Sequence, residues 1–354
     1  MSDDLRNLPD HKKTTERAIA AALSVPVVYI NKLKKAGLAI WHSSRLKPML
    51  SEKHKDNRLL WCLSMIDSTT INSTRSALKY QDMYDLVHID EKWFNLKKTK
   101  RGFILAPGEK VPERTTKHKS HIQKVQFIAA LGRPHFVEET GEFFDGKIGM
   151  WPIGYWSTYQ RGGSVNPKGS DKWEDEAVDL CKYYELLMDK IVPAIMAKHP
   201  FFALGKTIRI QQDGAPAHGA IGKDPRVFAK AMAELGVGEQ IKLITQPAQS
   251  PDLNVCDLGF FSSIQTEYYK KCPRNVKEIH SCIDEALEEY PGDKLNRIWI
   301  TLQSIMNEVI EDEGGNDYKI PHLNKDRLER EGTLPEVLDV TDAARPILEA
   351  FGEF

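Results

Sequence analysis

Two short runs of apolar, β-type residues each end on an aspartate: YDLVHID over 84–90 and TIRIQQD over 207–213. A strand buried on both faces accepts a carboxylate only where it leaves the sheet, so each run predicts a strand and marks its exit at the sheet rim. KVQFIAAL (124–131), IKLIT (241–245) and the shorter GFILA (102–106) also read as strands. A helix is predicted from Pro225 to Leu235, with Asp224 as its cap and Gly236 just past its end. Another begins at Cys256. Strands first, then helices alternating with strands, predict an α/β domain built on a mixed sheet. The stretch 149–170, rich in Gly, Pro and aromatic residues, breaks that order and reads as an extended inserted loop.

Upstream, TTERAIAAALSVPVVYINKLKKAG (14–37) reads as two short helices. Thr14 or Thr15 caps the first, Ser24 marks the break, and Gly37 stops the second. This is the size and punctuation of a helix-turn-helix, in which Lys32, Lys34 and Lys35 would face phosphates while Tyr29 and Asn31 face base edges. A plain helical hairpin has the same pattern. Further basic residues, among them Lys53, Lys55 and Arg58, fit a solvated helix face ahead of the apolar RLLWCLSMI.

The whole-chain charge of −1, from 49 Lys and Arg against 50 Asp and Glu, hides an uneven distribution. Residues 1–60 hold 12 basic and 6 acidic side chains, residues 92–124 hold 10 and 2, and residues 281–354 hold 7 and 18. The second of these segments follows the strand that ends at Asp90. Its Lys97, Lys98, Lys100, Arg101, Arg114, Lys117 and Lys119 suit a nucleic-acid backbone. The five cysteines are scattered and form no Cys-x-x-Cys pair, which argues against a disulfide framework or a zinc site. There is no apolar run of the ~18 residues a membrane helix needs and no secretory signal, so a soluble intracellular protein without a membrane partner is expected.

Asp90 and Asp213 at strand ends and Asp257 at a helix start are the candidate chemical groups. Each has an ordinary alternative: a solvating strand end, a turn, a helix cap. Three carboxylates converging on a sheet rim would repel one another unless cations were bound, and hard oxygen donors suit Mg²⁺ or Mn²⁺. Two such ions about 4 Å apart would support in-line phosphoryl transfer.

The segments HIDEKWFNL (88–96), IQQDGAPAH (210–218) and SPDLNVCDLGFFSSIQ (250–265) resemble, in order, the three signature blocks of mariner-like transposases of the Tc/mariner superfamily. The resemblance extends over roughly residues 12–320. It implies a ribonuclease-H-like mixed-sheet catalytic domain, preceded by a small all-α helix-turn-helix domain. It implies that Asp90, Asp213 and Asp257 are the catalytic triad and hold two Mg²⁺ or Mn²⁺ ions, with Asp252 shaping the loop instead. An aspartate in the third position matches the mariner-like rather than the Glu-using branch. The 43 residues between Asp213 and Asp257 exceed the usual spacing, and an extended segment around 219–240 would absorb them. Glu91 and Trp93 would support the first aspartate, and His218 would pack near the site or contact DNA. Residues 149–170 would take the place of the clamp loop that reaches a second subunit, with Trp151, Tyr155, Trp156 and Arg161 as contacts.

The expected domain map is 1–50 for the helix-turn-helix, 51–81 for a linker and helix, 82–300 for the catalytic domain, and 301–354 for an acidic helical or irregular region. The implied function is cut-and-paste transposition in the nucleus. Metal-dependent cleavage at element ends would be followed by strand transfer into target DNA, with a homodimer acting on double-stranded terminal inverted repeats. The family has two tandem helix-turn-helix units, and this chain resembles the second alone, with Ser24-Val25-Pro26 at its turn. A truncated inactive copy, or a transposase-derived DNA-binding protein without catalysis, is the alternative.

Overall fold

The computed structural model describes residues 2–40, 47–71, 77–97, 109–110, 113, 122–163, 167–218 and 225–351. The chain divides into two compact units, Met1–Pro48 and Met49–Phe354. The GFILA strand and the Asp224 cap expected from the sequence lie outside the described residues.

The first unit holds α1 (Ser2–Arg6), α2 (Glu16–Leu23) and α3 (Val27–Lys35). Thr15 caps α2, its hydroxyl accepting from the Ala18 amide at 3.1 Å. Ser24 ends that helix in the left-handed region at φ 54°, which turns the chain sharply into α3. The helices bury Ala20 and Ile30, and Lys34 pairs with Glu16 at 2.7 Å.

The second unit is built on a six-stranded sheet. Its strands are β1 (Leu86–Asn95), β2 (Lys124–Gly132), β5 (Lys147–Thr158), β6 (Asp171–Asp175), β7 (Ile208–Gln212) and β8 (Ile241–Thr245). The short β3 (His135–Val137) and β4 (Glu142–Phe144) form a separate hairpin. The order across the sheet is β6-β5-β2-β1-β7-β8. The first four of these run antiparallel to one another in turn, whereas β7 and β8 lie parallel to β1. This mixed sheet is the ribonuclease-H-like arrangement. Its two central parallel strands deliver their C-terminal ends to the same edge.

Both faces of the sheet are covered, which is why β1 reads as an almost continuous apolar run. Leu86 and Phe94 face one core, and Val87 and Ile89 face the other. The first core takes α4 (Glu52–Ser64), α7 (Phe261–Lys271), α8 (Val276–Glu288) and α9 (Gly292–Glu311). The second takes α6 (Pro225–Glu234) and α5 (Leu180–Leu186), which continues through a π turn at Leu187–Ile191 into Val192–Lys198. A second π turn, Cys256–Phe260, leads into α7.

Three expectations are corrected. Residues 149–158 are not loop: they belong to β5, the longest strand, paired with β2 and then with β6. The glycines that suggested a loop answer to packing, for a Cβ on Gly154 would stand 2.4 Å from the Glu174 carbonyl oxygen. Residue 300, taken as a domain boundary, lies inside α9, whose Trp299, Leu302, Ile305 and Met306 fill the first core. Arg58, read as part of a solvated face, is completely buried. Among the described residues all five cysteines are free, and no helix is long and apolar enough to cross a membrane.

Candidate active site

Asp90 lies in the middle of β1 rather than at its end as expected, because the polar residues after it stay paired with β2 as far as Asn95. Asp213 directly follows β7, and the parallel pairing of β1 with β7 brings the two carboxylates side by side. Asp257 arrives from a different direction, on the π turn ahead of α7. All three line one cleft of about 330 Å³, whose far wall is the loop from Gln246 to Pro251.

The segment carrying Asp257 is tied across the ends of the two strands. Gln211 Nε2 donates to the Leu253 carbonyl at 2.9 Å, and the Val255 amide donates to His88 Nδ1 at 3.2 Å. Asn254 is the hinge of the tie. Its Nδ2 donates to the Ile89 carbonyl at 3.2 Å and reaches Asp90 Oδ2 at 3.5 Å, and its Oδ1 accepts from the Cys256 amide at 3.0 Å. Burial pushes His88 down to about 3, so it stays neutral and its ring nitrogen remains an acceptor.

The electrostatics separate the three carboxylates. Burial, then the charges of Asp257 and Glu91, push Asp90 up to about 8. Asp257 is raised by burial, while Lys92 and a hydrogen bond with Asp90 pull the other way. Burial would raise Asp213 too, but the His218 ring and the Ala215 amide outweigh it and the carboxyl lies below its ordinary value. His218 Nδ1 stands 2.5 Å from Asp213 Oδ1, and Nε2 stands 3.2 Å from Glu91 Oε1. Burial opposes its charge, yet the two carboxylates win and hold the imidazolium at about 10. The ring stacks on buried Tyr183 with centroids 3.8 Å apart, and the Tyr183 hydroxyl donates to Gln212.

Hard oxygen donors crowded until one of them resists ionisation fit a divalent cation, which would relieve that repulsion. In the side-chain positions described, Asp213 is turned toward His218. Among the described residues no group of three or more His, Cys, Asp or Glu is drawn together closely enough to hold an ion.

The other expected site residues fall into three groups. Glu91 projects from the opposite face of β1 to Asp90 and meets His218, and Trp93 lies under the Lys124 ammonium, 3.7 Å from the ring centroid. Tyr29, Asn31, Lys32, Lys34 and Lys35 are exposed on α3 in the first unit. Lys97 is exposed just past β1, whereas Lys98, Lys100, Arg101, Arg114, Lys117 and Lys119 lie outside the described residues. Sequence reasoning missed Asn254 and Lys92. The first stands inside the SPDLN block, and the second is two residues past Asp90 on a strand, hence on the same face.

Fold and site together define the class: a ribonuclease-H-like domain whose cleft is lined by a carboxylate within one central strand, one just past its parallel neighbour and one on a π turn. Compared with protein-family models and with curated proteins, the sequence matches none. Its fold matches solved structures of the Mos1 mariner transposase. A pre-cleavage Mos1 transpososome superposes with TM-score 0.59 at 17% identity, over 90% of this chain and 80% of that one. The Mos1 mariner paired end complex with Mn gives 0.58 at 18%, over 90% and 80%. The Mos1 strand transfer complex gives 0.58 at 17%, over 90% and 79%. The chain is therefore mariner-transposase-like in fold across nine-tenths of its length.

Proposed function

We propose that this chain is a mariner-like DNA transposase that cuts DNA at element ends and joins the freed 3′ ends to target DNA. One observation carries the reading: Asp90, Asp213 and Asp257, from three separate segments, line a single cleft. The fold supports it, since matched Mos1 structures include a complex with a left transposon end, a strand transfer complex, and complexes with Mg or Mn. Asp90, Asp213 and Asp257 would hold two Mg²⁺ or Mn²⁺ ions. When bound, these supply Lewis-acid activation of the attacking oxygen and charge stabilisation at the leaving oxygen.

The chain's own residues do the rest. The Asn254 tie holds the Asp257 segment against β1, so the first and third carboxylates face the cleft together. His218, braced by Glu91 and Tyr183, holds Asp213 ionised and limits its rotation. Lys92, on the Asp90 face of β1, offers positive charge toward Asp257 and the cleft. The exposed Tyr29, Asn31, Lys32 and Lys35 of α3 suit a duplex groove and its phosphates, and Lys97 with the basic residues after it would follow the backbone. The same reading takes double-stranded inverted repeats and target DNA as partners, a homodimer to pair two ends, and the nucleus as the place of action.

The test is incubation with Mg²⁺ or Mn²⁺ and a duplex carrying the DNA that flanks the chain's own coding sequence. Nicks at the repeats are expected, and Asp257→Asn should abolish them with DNA binding retained. Metal-independent cutting, or cutting unchanged in Asp257→Asn, overturns the reading. Binding without any cleavage would favour a transposase-derived DNA-binding protein.

A further inference from the structure

The turn that leads to the third carboxylate is gripped a second time, from the side away from β1 and β7. The grip is Arg58, in α4, and 194 residues of sequence separate it from its partner Asp252. The guanidinium is completely buried and pairs bidentately with that carboxylate, Nη1 to Oδ1 and Nη2 to Oδ2 both at 2.8 Å. Its other donors go to main-chain carbonyls, Nε to Gly314 at 2.9 Å and Nη2 to Gly315 at 3.0 Å. The Tyr318 hydroxyl donates to Asp252 as well. Three distant segments therefore meet on one guanidinium. Gly314 is required there, because at φ +87° a Cβ would stand 2.1 Å from the Lys55 carbonyl oxygen of α4.

A desolvated ion pair is a poor way to stabilise a fold, since apolar residues of equal volume do as well or better. What a forked pair supplies is geometry, for it fixes both the distance and the direction of the carboxylate it holds. Asp252 belongs to the single 3-10 turn Pro251–Leu253, which leads through Asn254 and Val255 into the π turn bearing Asp257. Ser250 and Pro251, next to it, line the cleft.

We propose that the Arg58–Asp252 pair sets the position of the third carboxylate, making Arg58 a positioning residue for divalent-cation binding at Asp257. This rests on the metal-dependent reading above and adds to it a residue from outside the three motif blocks.

The test uses the full chain and the double variant R58M/D252L, which exchanges the pair for apolar residues of similar size. It is expected to melt cooperatively but below the wild-type temperature, because the Gly314 and Gly315 carbonyls and the Tyr318 hydroxyl lose their partners. Mn²⁺ binding, measured by titration calorimetry without DNA, should weaken on the order of 10- to 100-fold, the range lost when groups that orient metal ligands are removed. The Mn²⁺ needed for half-maximal cleavage should rise in step, while DNA affinity stays unchanged. Arg58→Lys keeps the charge without the fork and should weaken Mn²⁺ binding by a smaller factor; if the double variant does not fold, this variant decides. Wild-type Mn²⁺ affinity in the folded variant overturns the inference and leaves the functional reading standing. A wild-type chain that neither binds Mn²⁺ nor cuts DNA overturns both.

Discussion

His218→Phe isolates the charge of the clamp from its shape, because phenylalanine retains the stack on Tyr183 and removes both ring nitrogens. In the folded chain His218 is held at about 10 against an ordinary 6.5. One pKa unit corresponds to 1.36 kcal/mol, so the shift sets a ceiling of about 5 kcal/mol on what the charged ring contributes. The Asp213 side chain is 44% exposed, and water screens that arm, which brings the working figure to about 2–3 kcal/mol. The sign follows from a folded pKa above the unfolded one. The contribution is complete below about 6.5, declines as pH rises, and is gone above about 10. Urea denaturation in EDTA should therefore show wild type about 2–3 kcal/mol more stable than His218→Phe at pH 6, with the gap closing toward pH 10. A gap that is constant across that range means a neutral imidazole and refutes the ion-pair account.

Asp90 follows pH in the same direction but for the opposite reason, since here it is the charged form that the fold disfavours. Its folded pKa of about 8 lies above the ordinary 3.8, so metal-free stability falls as pH rises between those values, and Asp90→Asn should gain about 1–3 kcal/mol at pH 8.5 in EDTA, read by thermal melts, while losing cleavage. Mn²⁺ at a hundredfold excess over its Kd should stabilise wild type by about 2.7 kcal/mol, and Asp90→Asn should lose most of that gain. Lys34→Ala should lower DNA affinity and the slope of its salt dependence by about one, with less than about 1 kcal/mol lost from the half-exposed pair with Glu16. A DNA affinity unchanged from 50 to 200 mM salt would show that α3 only packs. Gly154→Ala should cost about 1–3 kcal/mol in thermal stability by forcing β6 away from β5.

The two strands were legible because burial on both faces leaves an apolar signature, and β7 stops just before Asp213 as that signature does; β1 instead runs on to Asn95, because its polar half after Asp90 still pairs with β2. The α2 and α3 helices were legible from Thr15, Ser24 and Gly37, whose roles are local. What escaped was non-local. Gly149 and Gly154 look like loop formers until the indole rings of Trp151 and Trp173 are seen filling the space their side chains would need. The burial of Arg58 depends on Asp252 and on Gly314, far along the chain. His218 was noticed through its motif, but its clamp joins a residue after β7 to one on the back of β1, and only the parallel pairing of those strands reveals it.

The π turn at Cys256–Phe260 has a consequence for how this site tolerates change. A π turn accommodates one residue more than an α turn, and each residue of an α-helix advances the helix by about 100°. The extra residue thus sets the azimuth of Asp257 independently of the face on which Phe261, Ile264 and Tyr268 are buried. Deleting one residue within the turn would let the segment relax to a regular helix with its apolar face still seated, and the carboxylate would swing by roughly a quarter-turn out of the cleft. Such a chain would fold normally and be chemically silent, so that a single lost codon could disarm the protein without exposing it to the fate of an unfolded one.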